Sequence, residues 1–217
     1  MVRIRIKKGL GHKHFHVTIF GSSRIKRNDK YYKEVYKLAK MIGEKGIDVV
    51  TGGGPGIMEA ANTGHEAGAK QNGSHSIGLG IVLPHEQDFN KGVGLYSKFD
   101  KFSSRLDNFM LLSNAVVIAP GGIGTMLEFF YTWQLVQVKH ICDIPIILLG
   151  DTWKDLVRWL EREPLKRGFF DKKEMSLIFH AKNAEEAMNI INESNEAFKK
   201  GGKNFCLNYK KYRLDGI

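Results

Sequence analysis

The chain has 217 residues, 42% of them hydrophobic, which is enough for one globular domain with a core, and its formal net charge is +10. Residues 1–16 and 199–217 contribute +5 each, while residues 17–198 hold 22 basic and 22 acidic side chains. Non-specific binding to duplex nucleic acid grows with the number of backbone phosphates that basic side chains neutralise. The zero net charge of residues 17–198 therefore argues against a surface that binds nucleic acid along the whole domain.

Short β-branched runs alternate with helix-like stretches along the chain, which predicts βαβ units and a parallel sheet. We expect residues 85–103 to form an irregular loop of the kind that carries function. The other elements, taken in chain order, are strands at 17–20, 48–50, 76–83, 115–119 and 145–149 and helices at about 31–46, 57–68, 105–113, 126–138, 151–163 and 184–199.

Two glycine loops each follow a predicted internal strand and precede a helix. The first contains Gly52, Gly53, Gly54 and Gly56, and the second contains Gly121, Gly122, Gly124 and Thr125. Such loops lie at the carboxyl edge of the strands, where glycines and free helix N–H groups admit an anion. Tight strand-to-helix turns would also need glycine, but two such loops in one domain favour a nucleotide-like ligand.

The spacing within the loops excludes two common nucleotide sites. A dinucleotide fingerprint requires a third glycine, which is absent from GGGPGI at 52–57 and from GIGTML at 122–127. A phosphate-binding P-loop requires a Gly-Lys-Ser/Thr ending, and neither loop contains a lysine. We therefore predict neither NAD binding nor ATP hydrolysis.

Glu128, three residues after Thr125, and Arg105, near the start of the preceding helix, are candidate catalytic residues. Beside phosphate loops, a carboxylate can hold ribose hydroxyls, support an oxocarbenium-like transition state or activate water. An arginine can clamp a phosphate or help a departing base. Taken singly, Glu128 is better explained as a first-turn acid stabilised by the helix dipole, and Arg105 as a member of a surface ion pair. Together with the loops, they favour N-glycosidic cleavage.

The segments TGGGPGIMEAAN at 51–62, LPHEQ at 83–87 and PGGIGTMLE at 120–128, with Arg105, resemble the LONELY GUY (LOG) family over about residues 15–195. Its members are nucleoside 5′-monophosphate phosphoribohydrolases that activate cytokinins, and many were labelled possible lysine decarboxylases. The resemblance implies a Rossmann-like three-layer αβα fold with a mostly parallel sheet, and a homodimer. It also implies hydrolysis of an AMP-like or cytokinin riboside monophosphate to free base and ribose 5-phosphate, without cofactor.

The resemblance assigns catalysis to Arg105 and Glu128, which have the family's spacing of 23 residues. It assigns phosphate binding to residues of the two glycine loops, namely Gly52, Gly53, Gly54, Gly56, Gly121, Gly122, Gly124 and Thr125. Met58 and Glu86 are further candidate substrate-binding residues. Glu86, with His85, is either a pocket residue or part of a solvated loop. The chain departs from the family at Leu106, usually a lysine, and at Leu127, usually an acid.

The leading hypothesis is therefore a metal-independent phosphoribohydrolase. The alternative is a non-catalytic carrier of a nucleotide or phosphorylated cofactor, which the loss of charge at Leu106 and Leu127 favours. An RNA-associated protein acting through the basic ends is a third, and nucleic acid is not the expected partner. Lysine decarboxylation is not expected either, because a pyridoxal enzyme needs a Schiff-base lysine and neither loop offers one.

Weaker features complete the sequence prediction. His12, His14 and His16 stand at period two, but no carboxylate or cysteine lies near them in sequence, so we interpret them as a polar strand face and expect no metal. Cys142 and Cys206 suggest no disulfide framework, and no apolar stretch has signal-peptide or membrane-span length. We predict one cytoplasmic domain over 1–217, with its core at about 15–198 and basic extensions at 1–14 and 199–217.

Overall fold

The computed structural model describes residues 2–3, 14–82 and 88–201, which form an α/β fold around a single sheet. The described strands lie in the order β1-β5-β4-β3-β2-β6-β7-β8, and every described pairing is parallel. Their bounds are β1 Val2–Arg3, β2 His16–Phe20, β3 Asp48–Thr51, β4 Ser76–Ile81, β5 Leu95–Phe99, β6 Ala115–Ile118, β7 Ile146–Leu149 and β8 Ile178–Ala181. The predicted α/β class with a parallel sheet is confirmed.

Helices cover both faces of the sheet. Their bounds are α1 Lys30–Glu44, α2 Ile57–Ala69, α3 Phe102–Leu112, α4 Ile123–Gln137, α5 Lys154–Leu160, α6 Lys172–Met175 and α7 Ala184–Lys199. Successive strand residues point to opposite faces, so Val49 packs with α1, α2 and α7, whereas Val50 packs with α3, α4 and α5. The result is the predicted three-layer αβα arrangement.

The chain order of the strands reverses at β2. From β2 the chain builds the sheet outward through β3, β4 and β5, and it then returns to place β6 on the other side of β2. The loops that follow β2 and β6 therefore lead to opposite faces of the sheet and leave a crevice between them. In open parallel sheets, ligands bind in this crevice, beyond the carboxyl ends of the strands.

The prediction of an irregular loop over 85–103 is wrong in its second half. Strand β5 occupies Leu95–Phe99, and α3 begins at Phe102 rather than Arg105. The sequence of β5, LYSKF, lacks the continuous apolar run that is typical of an internal strand, and all five of its residues are only half-buried. The edge strand β8 was likewise not predicted, because its Phe179 and His180 are exposed.

Several sequence predictions fall on residues that the structure does not describe. These are Glu86 and His85 with the rest of LPHEQ, His12, and most of the two basic extensions. Within the described part of the chain, no helix combines the length and apolar character that crossing a membrane would require.

Candidate active site

A cleft of about 490 Å³ opens at the carboxyl ends of β2, β3 and β6. This volume lies in the range of small-molecule sites. The cleft brings the two predicted catalytic residues, Arg105 and Glu128, together with residues of both glycine loops. From the predicted binding set, its lining includes Gly52, Met58, Gly122, Gly124 and Thr125.

Arg105 is held in a fixed position at the floor of the cleft. Its Nε donates a hydrogen bond of 2.7 Å to the carbonyl oxygen of Leu79 within β4. Its guanidinium carbon lies 5.1 Å from the centre of the Phe109 ring, within range of a cation–π interaction. These contacts leave Nη1 facing Glu128, 3.8 Å from Oε1, with both side chains largely buried.

The surroundings of the pair change its protonation. Burial raises the pKa of Glu128 from its ordinary 4.5 to about 7, against the opposing effect of the Arg105 charge. Burial also lowers the pKa of Arg105, which Glu128 partly offsets. A carboxyl group with a pKa near neutrality can take up and release a proton at working pH, which suits acid–base chemistry.

The second glycine loop leaves the start of α4 open to an anion. Gly122 caps the helix without a side-chain hydrogen bond, and the first turn contains no acid. A Cβ atom built on Gly122 or Gly124 would meet no atom within 4 Å, so open space adjoins this backbone. The first N–H groups of a helix lack intrahelical acceptors and carry a partial positive charge. This terminus is therefore suited to a phosphate.

The first glycine loop is arranged differently. The N–H of Ile57 at the start of α2 donates to the Ser22 carbonyl at 2.9 Å, and Glu59 in the first turn disfavours a second anion. Gly53 and Gly56 have φ angles of +74° and +69°, which favour glycine. Gly53, Gly54 and Gly56 do not line the cleft, whereas Gly52 does.

A buried hydrogen-bond network fixes the shape of this first loop. Thr51 Oγ1 donates to Asn62 Oδ1 at 2.7 Å and accepts from the Gly53 N–H at 2.9 Å. Asn90 Nδ2 lies within hydrogen-bond distance of the Gly53 carbonyl at 3.0 Å and the Gly54 carbonyl at 2.8 Å. The network explains why a threonine and an asparagine bracket TGGGPGIMEAAN. Asn90 was missed because it lies in the segment predicted to be a loop.

A third wall of the cleft could not be assigned from the sequence. Ser22, Ser23 and Arg24, from the loop after β2, also line the cleft. Their position directly after the strand at the reversal point is the signal that could have identified them. No lysine lines the cleft among the described residues.

The two departures from the family pattern have different surroundings. Leu106, next to Arg105, is buried at 8% exposure in the protein interior. Leu127, next to Glu128, is 49% exposed on α4. Neither side chain lines the cleft.

Comparison with known proteins gives a consistent family. A family model described as "Possible lysine decarboxylase" matches residues 58–191. The chain is 28% identical over 140 residues to a pyrimidine/purine nucleotide 5′-monophosphate nucleosidase of Escherichia coli, covering 62% of this chain and 30% of that protein. The match thus spans less than a third of the bacterial enzyme's length. The chain is 26% identical over 183 residues to a probable cytokinin riboside 5′-monophosphate phosphoribohydrolase of Oryza sativa, covering 82% and 71%.

Solved structures support the fold. The molybdenum cofactor binding protein of Rippkaea orientalis superposes with a TM-score of 0.62 at 20% identity, covering 83% of this chain and 97% of that one. The molybdenum cofactor carrier protein of Chlamydomonas reinhardtii gives 0.62 at 20% identity, covering 85% and 99%. At this identity the similarity establishes a common Rossmann-like fold and nothing about a common ligand.

Proposed function

The chain belongs to the LONELY GUY family, whose model is described as possible lysine decarboxylase, and from this premise we propose that it is a nucleoside 5′-monophosphate phosphoribohydrolase. The observation that carries the proposal is the buried Arg105–Glu128 pair, which shares one cleft with the uncapped start of α4. Hydrolysis of the N-glycosidic bond of a nucleotide requires a site for the 5′-phosphate and a carboxyl group for acid–base chemistry, and this cleft offers both.

The 5′-phosphate binds at the start of α4, against Gly122, Gly124 and Thr125. The second loop is the better phosphate site because the helix that follows it, α4, has no side-chain cap and no acid in its first turn. In α2, by contrast, the Ile57 N–H already donates to the Ser22 carbonyl, and Glu59 lies in the first turn. Arg24, at the cleft wall, adds a positive charge. Gly53, Gly54, Gly56 and Gly121 then serve the binding site by shaping its loops rather than by touching the ligand.

Hydrolysis breaks the bond between C1′ of the ribose and the base nitrogen. In the ionised form, Glu128 stabilises the positive charge that develops on the ribose and accepts a proton from the water that attacks C1′. The departing base takes up a proton from solvent at its nitrogen, and Glu128 returns the proton it took from water to solvent, so free base and ribose 5-phosphate are the products. Arg105 holds the Glu128 carboxylate in place and keeps its charge balanced.

Direct incubation with nucleotides tests the proposal. The protein is mixed separately with AMP, GMP, CMP, UMP and isopentenyladenosine 5′-monophosphate, and ribose 5-phosphate is measured. We expect release from at least one of them, with a purine or N6-modified adenine nucleotide preferred. Absence of release from all five would contradict the proposed activity.

Gly124→Ala tests the position of the phosphate. The added Cβ meets no protein atom within 4 Å, and alanine favours helix by about 1 kcal/mol, so stability should be unchanged or slightly raised. If phosphate occupies this space, KM should rise at least about tenfold, a loss of ~1.4 kcal/mol. The measurements are steady-state kinetics and thermal unfolding.

Gly94→Ala is the matched control, because Gly94 is exposed outside the cleft and its Cβ would make only an ordinary contact with the Ser76 carbonyl oxygen. Its KM should equal that of the unmodified protein. An unchanged KM in Gly124→Ala would place the phosphate elsewhere.

A carrier of a nucleotide or phosphorylated cofactor is the second candidate. Leucine at 106 and 127 removes charge that the family usually keeps beside the site, which favours binding without turnover. The same cleft and helix start would hold the phosphate in either case. Tight binding of a nucleotide recovered intact would support the carrier.

The proposed enzyme acts as a homodimer in the cytoplasm. Four exposed apolar residues, Ile123, Met126, Leu127 and Phe130, recur at helical spacing on one face of α4. Ile123 is 89% exposed and also lines the cleft, so a second copy packed on this face would lie beside the site. Sedimentation equilibrium should give twice the 24.5 kDa chain mass, and Leu127→Glu should shift it toward one chain. A monomer in the unmodified protein would contradict the dimer.

A further inference from the structure

A cluster of imidazoles surrounds one carboxylate at the amino edge of the sheet. His16 is the first residue of β2 and pairs in register with Asp48, the first residue of β3. His14 lies two residues before His16, and His75 immediately precedes β4. The cleft lies at the opposite, carboxyl edge, at least about 10 Å away along the strands.

The Asp48 carboxylate is completely buried, yet it is incompletely satisfied. Its Oδ1 accepts a hydrogen bond of 2.7 Å from the His75 backbone N–H. Its Oδ2 has no hydrogen-bond partner, and neither do His16 Nε2 and His75 Nδ1. Among the described residues, only imidazoles pair with this carboxylate. A buried carboxylate without a fixed cation is costly, so the arrangement calls for a positive charge.

The spacing between His75 and Asp48 matches that of two ligands on one metal ion, and His14 lies slightly farther away. His75 Nδ1 lies 3.4 Å from Asp48 Oδ2, and His14 Nδ1 lies 3.7 Å from Asp48 Oδ1. Charge-assisted hydrogen bonds are shorter, at about 2.8 Å. In contrast, nitrogen and oxygen ligands bound at about 2.1 Å in a tetrahedron are separated by ~3.4 Å. The candidate ligand atoms of His14, Asp48 and His75 all lie within 4.8 Å of one another.

We propose that His14, Asp48 and His75 bind a divalent transition-metal ion of the zinc type. Asp48 supplies the buried anionic ligand, and the two imidazoles, whose side chains are 41% and 38% exposed, give the ion a path from solvent. Water occupies the fourth position. His16, with its side chain 6% exposed, places Nε2 3.4 Å from Asp48 Oδ2 and lies beside the proposed site.

The role of this ion is structural. The three ligands come from the starts of β2, β3 and β4, which are adjacent in the sheet, so one ion joins three strands. The site revises the expectation that the histidines form only a polar strand face. The carboxylate missing from their sequence neighbourhood is supplied by the next strand.

Metal titration of tag-free full-length protein, first dialysed against a chelator, tests the site. Co²⁺ should bind at one ion per chain with the intense visible absorption of tetrahedral nitrogen–oxygen coordination, and Zn²⁺ should displace it and raise Tm. His75→Gln and the half-exposed His14→Gln should each weaken binding at least about 100-fold. Using both variants keeps the test decisive should one of them fail to fold.

His140→Gln, which changes an exposed histidine outside the cluster, is the control and should bind metal as the unmodified protein does. Absence of the Co²⁺ band, or equal affinity in all variants, would overturn the proposal. Nucleotide hydrolysis by the chelator-treated protein should be retained, so failure of the metal site and failure of the proposed activity are distinguishable.

Discussion

Glu128→Gln lowers the rate of nucleotide hydrolysis by about a thousandfold and leaves nucleotide binding within a few-fold of the unmodified protein. The amide keeps the size of the side chain but can neither accept the water proton nor balance the charge on the ribose. Single-turnover hydrolysis and calorimetric binding measure the two effects separately. Glu193→Gln, an exposed carboxylate on α7, is the matched control and should be fully active. Unchanged hydrolysis in Glu128→Gln would remove this residue from the reaction.

The pH dependence of activity should carry the signature of Glu128. Because burial raises its pKa to about 7, the ionised form required for hydrolysis is lost as pH falls through 7. We expect kcat/KM of the free enzyme to rise with pH and to level off above about pH 8. The residual activity of Glu128→Gln should lack this rise, which separates Glu128 from the ionisation of the substrate phosphate. A wild-type profile that is flat between pH 5 and 8 would contradict the assignment.

Arg105→Gln should lower kcat/KM by about a hundredfold or more. The guanidinium links three parts of the site, since Nε binds the Leu79 carbonyl, Nη1 faces Glu128, and the Nη2 atom lies beside Gly52. Its charge also opposes the effect of burial on the pKa of Glu128. Removing that charge should therefore move the acid limb of the pH profile to higher pH, a shift that a merely structural loss would not produce.

Arg105→Lys separates the charge from the geometry of the guanidinium. Lysine keeps the positive charge but lacks the planar set of hydrogen-bond donors of the guanidinium. In Arg105→Lys, the acid limb of the pH profile should therefore lie near its position in the unmodified protein, whereas kcat/KM should remain low. Arg158→Lys, in a solvent-exposed pair with Asp155, is the control and should behave as the unmodified protein. A fully active Arg105→Gln would show that the family's arginine has no role in this chain.

Most of the sheet and the paired loops could be predicted because their signals are local. Val49 and Val50 stand in a short β-branched run that ends at Thr51, just before Gly52, and such a run predicts a buried strand whatever surrounds it. Strand β5 could not be predicted in this way, because its half-buried residues depend on β4 beside them for their place in the sheet. The sequence of this segment therefore indicates a loop, although the chain forms a strand there.

The candidate site shows the same division between local and long-range information. Glu128 and Arg105 were recognised from their distance to the second glycine loop, but nothing local reveals that the Leu79 carbonyl holds the arginine. The sequence also does not indicate which of the two glycine loops can accept an anion. This depends on the Ser22 carbonyl, which accepts a hydrogen bond from the first N–H group of α2. The cluster of His14, Asp48 and His75 is the extreme case, since its residues lie at or just before the starts of three neighbouring strands.

One measurement tests the central claim most directly. Enzyme in excess over the best-bound nucleoside 5′-monophosphate is quenched over time, and base, ribose 5-phosphate and remaining nucleotide are quantified together. We predict that base and ribose 5-phosphate appear in equal amounts as the nucleotide disappears, and that Glu128→Gln leaves the same nucleotide bound and intact. Recovery of intact nucleotide from the unmodified protein would contradict hydrolysis and identify the chain as a carrier.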